Sequence, residues 1–152
     1  VFYAPTAFLD KCVLPANTGE LGKANTIEDG NFTLLTDKKW KGIDVQIDEG
    51  ELKTTLVGNA GNKKAKIEFE FKIPRFNAEP LDFISRYKNV PMTFVVPDAQ
   101  GTLWVIGTKI NGAFMESAEA TTGKKAEDDS GITLKLICNS KLHKYAGVIA
   151  EA

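Results

Sequence analysis

Histidine-based chemistry in this chain would have to be built on a single imidazole, His143, which sits in a basic stretch with Lys141 and Lys144. Hydrolytic imidazole catalysis needs a serine or cysteine nucleophile and an orienting carboxylate. No Gly-x-Ser-x-Gly elbow supplies the first. One histidine also rules out a multi-histidine metal site within one chain, so His143 is expected at the surface. The two cysteines, Cys12 and Cys138, lie 126 positions apart, with no C-x-x-C and no zinc-type Cys/His spacing. They read as two small apolar side chains packed in or near a core, with a disulfide tying the two ends or a catalytic thiol as the alternatives. Glu127, Asp128 and Asp129 form an acidic run without the alternating ligands of a calcium loop. A solvated loop, an intersubunit ion-pair element and a weak calcium site are its three readings. Asp37, Asp44 and Asp48 are scattered, and no spacing marks a glycosidase pair.

Phosphate loops are absent as motifs. Gly58 to Lys64 and Gly123-Lys124-Lys125 combine glycine and lysine, but neither has the Gly-Lys-Ser/Thr ending or a helix after it. Both read as mobile, positively charged loops. No catalytic, cofactor-binding or metal-binding residue is assigned, no cofactor is expected, and the chain is expected not to be an enzyme.

The elements that would position any site are mostly strands. The 152 residues fit one domain with one core, and 43% hydrophobic content with nine Phe, three Tyr and two Trp supplies the apolar material. Nineteen basic against twenty acidic residues leave a net charge of −1, too little to steer a polyanion. Only Arg75 and Arg86 are arginine, which weakens phosphate or base readout further. Sequence-specific nucleic acid binding is therefore not expected. No run approaches the eighteen apolar residues of a membrane span. The opening Val1 to Ala16 lacks a basic leader and a long apolar run, so it does not read as a signal peptide. Because the chain starts at Val1, a leader removed from a secreted or periplasmic protein stays open as an alternative.

The sharpest pattern is Ala65-Lys66-Ile67-Glu68-Phe69-Glu70-Phe71-Lys72-Ile73, where apolar and charged residues alternate with a period of two. A strand with that period puts Ile67, Phe69, Phe71 and Ile73 on one face and Lys66, Glu68, Glu70 and Lys72 on the other. Burying the two Phe and two Ile contributes about 6–12 kcal/mol of transfer free energy before entropy is charged against it. Further strands are expected at 32–36, 43–47, 51–57, 92–96, 102–106, 110–115 with a continuation near Ala118, and 132–138. An edge strand is expected at 145–149. One short helix is expected at about 79–88, with Pro80 at its first position, and it would plug the end of the sheets. Residues 1–30, with Pro5 and Pro15, read as an irregular arm holding one short strand near Phe8 to Leu14, and 31–152 as the domain proper. The fold class is therefore all-β, or β-rich α+β: an antiparallel β-sandwich or partly closed barrel with one helix. Trp104, inside a strand, is expected in the core. Trp40, in a lysine-rich linker, is expected to be exposed or at an interface.

The hairpin ending Leu103-Trp104-Val105-Ile106-Gly107, the segment Ala120-Thr121-Thr122-Gly123-Lys124-Lys125-Ala126-Glu127-Asp128-Asp129-Ser130-Gly131-Ile132-Thr133-Leu134 and the closing Tyr145-Ala146-Gly147 resemble tail tube proteins of tailed phages and prophages, of the type found in Bacteroides-like bacteria. The resemblance covers about 50 residues, mainly 103–147. Asp129 departs from it, standing where a basic or neutral residue is expected, and the aromatic-rich ending is only partly present. The resemblance implies a virion structural protein: a self-assembling homo-oligomer whose rings, typically hexameric, join sheets edge to edge around a lumen and stack into a tube that passes DNA without reading it. It implies assembly in the bacterial cytoplasm with other virion proteins, no membrane and no small-molecule substrate. The 65–73 strand would line the channel, its two Lys and two Glu nearly cancelling, and loops 58–64 and 121–131 would meet the next ring. The alternative is a small β-barrel or sandwich that binds a ligand or carbohydrate without catalysis, through Trp40, Trp104 and Tyr87.

Overall fold

A computed structural model describes residues 1–16, 19–45, 50–74 and 76–149. In chain order its strands are β1 (Phe2–Pro5), β2 (Leu9–Cys12), β3 (Thr26–Ile27), β4 (Phe32–Leu34), β5 (Lys41–Gly42), β6 (Glu51–Val57) and β7 (Lys64–Ile73). The helix α1 (Ala78–Tyr87) precedes β8 (Met92–Pro97), β9 (Leu103–Ile106), β10 (Phe114–Thr121), β11 (Gly131–Cys138) and β12 (His143–Tyr145). They form a six-stranded sheet in the order β3-β12-β9-β8-β1-β5, a four-stranded sheet in the order β10-β11-β7-β6, and a two-stranded ribbon of β2 and β4. All pairings are antiparallel except that of β3 with β12. Among the described residues the chain is a β-rich sandwich with one α-helix, and its sheets do not close into a barrel.

The alternation in β7 fixes the main core. Ile67, Phe69, Phe71 and Ile73 meet Cys138, Leu136, Leu134 and Ile132 of β11 row by row. Together they pack against Met92, Phe94, Val96 and Ile106 of the six-stranded sheet. The stretch Met92 to Val96 is buried at every residue because this sheet is covered on both faces. Its even-numbered residues enter the main core, while Val95, with Val105 of β9, faces a second core beneath the β2–β4 ribbon. A strand buried on both sides loses the polar half of its alternation.

Residues 1–30, expected as an irregular arm, are built into this arrangement. β1 lies inside the six-stranded sheet between β8 and β5, and Ala4, Leu9 and Ile27 belong to the second core. At four residues, one of them proline, β1 is too short to show a period. The closing strand also differs from expectation: β12 spans 143–145 and lies between β3 and β9, not at an edge. Ile43 to Val45 form no strand, and the rest of the candidate at 43–47 lies outside the described residues.

The helix α1 starts two residues before Pro80, capped by Asn77, whose side-chain oxygen accepts from the Ala78 N–H at 2.7 Å. Pro80 thus sits within the first turn, where no intrahelical donor is needed. Phe83 enters the main core and meets Tyr3 of β1 edge to face, with ring centroids 4.8 Å apart. The helix links β7 of the four-stranded sheet to β8 of the six-stranded one and packs against β1 through Phe83 and Tyr87.

Candidate assembly surface

The four-stranded sheet turns its second face outward. Strand registers align Phe114, Ile137, Glu68 and Lys53 in one row, and Ser117, Lys135, Glu70 and Glu51 in another on the same face. Five lysines (Lys53, Lys64, Lys66, Lys72 and Lys135) share this face with five glutamates (Glu51, Glu68, Glu70, Glu116 and Glu119), so their formal charges cancel. Lys66 bridges Glu68 at 3.1 Å, and Lys135 bridges Glu116 at 3.3 Å from a bulge in β10. The Lys66 hydrogen bond holds the Glu68 carboxyl below its ordinary range, and the Glu116 hydrogen bond holds the Lys135 ammonium above its own.

The two main sheets treat their edges differently. The six-stranded sheet ends in β3 and β5, two residues each, which are too short to template another strand. The four-stranded sheet ends in β10, eight residues long, and β6, seven residues long. Among the described residues no strand pairs with the outer side of either; the one bridge beside them joins Ala113, the residue before β10, to Met92 of β8. Leu56, on the core side of β6, is 70% exposed. Val57 and Phe114, on the outer face, are exposed as well.

The residues singled out for chemistry are dispersed. His143, expected at the surface, is 5% exposed, and this corrects the sequence reading. In β12 the inward positions are His143 and Tyr145 while Lys144 points away; the flanking lysines disguise a strand only three residues long. Opposite Val105, the imidazole lies on the face that carries the second core, and its Nδ1 is buried without a well-formed hydrogen bond. Burial, helped by the charge of Lys141, pushes its pKa below the ordinary 6.5, against a smaller opposing contribution from the Lys141 backbone. The unfolded chain therefore takes up this proton near pH 6.5 before the folded chain does. Stability present above that pH is lost as pH falls toward the lower folded value. From about pH 7.5 to about 5.5 the urea midpoint of the wild type should fall more than that of His143→Leu. Equal falls would contradict a buried neutral imidazole.

Cys12 and Cys138 are unpaired and belong to different cores. Burial pushes both thiols upward, away from the reactive thiolate. The Cys138 thiol donates to the Asn111 carbonyl at 3.6 Å. In the acidic run, Asp128 accepts from the Lys124 and Lys125 backbone N–H groups at 3.1 and 3.0 Å, and Asp129 lies 3.7 Å from Lys72. These contacts fold the 121–131 loop onto itself and onto β7. Gly58 and Gly123 hold positive φ in the two glycine-lysine loops, as turn positions do. Asp44 is exposed, and Asp48 lies outside the described residues.

Trp40, expected to be exposed, is 4% exposed and stacks obliquely on Phe32 at 5.4 Å in the second core, a further correction. Apart from Phe32, the core it joins is built mostly from segments distant in sequence, which local composition does not reveal. Trp104 is half-buried, its indole N–H donating to Asp98 at 3.0 Å. Tyr87 packs beside Tyr3 and Phe83 near α1. The three aromatics do not converge on one face.

Compared with family models, curated proteins and solved structures, the chain matches none. Its surfaces must be read from their own chemistry, and the open-edged four-stranded sheet is the most distinctive of them.

Proposed function

We propose that the chain is a non-enzymatic structural subunit that assembles with copies of itself through its four-stranded sheet, as a tail tube protein of a phage or prophage would. The observation that carries this reading is the pair of long open edges on one sheet, beside a second sheet whose edges are cut to two residues. Natural sheets blunt their edges unless pairing is wanted. The charge-balanced outer face suits a channel lining that neither holds nor repels a passing polyanion strongly, and the resemblance around 103–147 points the same way. The rings, their stacking into a tube and assembly in the bacterial cytoplasm belong to this proposal. Negative-stain electron microscopy of concentrated protein tests it: rings with a central opening, or tubes, are expected. Neither rings nor tubes, together with a monomeric mass by light scattering, would overturn it.

A ligand-binding module is the second reading. It is supported by a cleft of about 900 Å³ where exposed Val13, Leu14 and Leu21 gather near Trp104. A Trp104 emission shift that saturates with an apolar ligand or an oligosaccharide would favour it.

A further inference from the structure

Resting on the self-assembly reading, we infer the register of the junction: β6 of one copy pairs antiparallel with β10 of the next, Glu51 opposite Thr121 and Lys53 opposite Glu119. Four strands that alternate in direction leave the two end strands running oppositely, so head-to-tail addition of identical sheets makes an antiparallel junction. The strands are also matched in usable length. One of the eight residues of β10 is taken up by the bulge between Met115 and Ser117, leaving as many rows as β6 has residues.

The edges are staggered. Phe114 begins β10 in the row that contains Lys53, while β6 runs four residues beyond Lys53 to Val57. Complete overlap therefore slides each copy by four residues for its four strands, or one residue per strand. Eight-stranded (β/α) barrels have that ratio, shear 8 with a strand tilt of about 36°, within the usual range for closed barrels. The size of this stagger thus falls within the range that closed barrels use.

Side-chain chemistry selects the same register. Lys53 and Glu119 make no ion pair among the described residues, and here they stand opposite each other on the charged face. Val57 meets Phe114 on that face, and Leu56 meets Met115 on the core side, so four exposed or half-exposed apolar side chains of the edges gain apolar partners. Sliding by two residues in one direction puts Glu51 against Glu119 and shortens the ladder. Sliding by two in the other direction loses the Lys53–Glu119 and Val57–Phe114 pairs. A slide of one residue would turn a charged face onto an apolar one.

Three double-cysteine variants of the full chain, each also carrying Cys12→Ser and all sharing Thr55→Cys, report the register under mild oxidation. Ser117→Cys is the proposed partner; Phe114→Cys and Glu119→Cys report the two slid registers. Directly opposed Cβ atoms lie about 4.5–5.5 Å apart and diagonal ones about 7–8 Å, and only the former approach disulfide reach. The expected result is an intersubunit ladder several-fold stronger for Thr55→Cys/Ser117→Cys than for either other pair. A stronger ladder from another pair overturns the register and leaves self-assembly standing. No ladder from any pair, while the wild type still assembles by light scattering, overturns the β6–β10 junction. A wild type that is monomeric throughout overturns the self-assembly reading and the register with it. Charge reversal gives a second readout that does not depend on disulfide geometry. Lys53→Glu and Glu119→Lys should each weaken assembly, and the double reversal should restore it; no rescue counts against the register.

Discussion

Replacing Trp40 with alanine lowers the stability of the chain by about 3–5 kcal/mol, the range for deleting a large aromatic from a packed core. The indole is 4% exposed, stacked on Phe32, in a cluster that also contains Ala4, Leu9, Ile27, Val95, Val105 and Tyr145. Those partners come from β1, β2, β3, β4, β8, β9 and β12, so the loss would loosen the β2–β4 ribbon from the six-stranded sheet. Guanidinium unfolding followed by far-UV circular dichroism checks it. A change within about 0.5 kcal/mol, normal for a surface position, would mean that the second core is not formed and that Trp40 is exposed, as its lysine-rich surroundings suggest.

Phe71→Ala should cost about 3–5 kcal/mol as well, while Glu70→Ala, one residue away, should stay within about 0.5 kcal/mol. Phe71 is fully buried, stacked on Phe69 at 5.0 Å and opposite Leu134 of β11. Glu70 lies on the outer face, in the row of Lys135 and Glu51. The contrast between neighbouring residues is the energetic signature of a strand with one dry face. Similar losses at both positions would contradict the register of the four-stranded sheet. A domain of this size is stable by only about 5–15 kcal/mol, so either aromatic deletion removes a large share of it.

These two residues mark how far the sequence could be read. Phe71 lies in a run of alternating types long enough to show its period, and β6, β7, β8, β9 and β11 fall where their patterns put them. Trp40 lies beside β5, a strand of two residues, where no period can appear. The same shortness concealed β1, β3 and β12, and with β12 the burial of His143. Such strands are held by partners supplied from distant segments, and only the assembled sheet shows them. The candidate surface was legible in part. The charged face of β7 follows from its alternation, whereas the openness of β6 and β10 depends on strand order, which no local pattern encodes. The cysteines read as packed apolar groups, and that is how they sit.

The two sheets divide the work of the molecule. The six-stranded sheet is covered on both faces and ends in minimal edges, so its remaining surface is poorly suited to strand addition. The four-stranded sheet keeps one face in solvent and both edges open, and the charges on that face sum to zero. Association through it would extend the existing ladders without rearranging either core.

Amide hydrogen exchange of the wild-type chain, compared between dilute and concentrated protein, tests most directly whether those edges hold copies together, because exchange reports backbone hydrogen bonds segment by segment. Protection should rise with concentration in Glu51–Val57 and in 117–121, while α1 and the strands of the six-stranded sheet stay unchanged. Unchanged exchange in both edge strands at concentrations where the mass exceeds 16.6 kDa, or new protection confined to other surfaces, would contradict assembly through the four-stranded sheet.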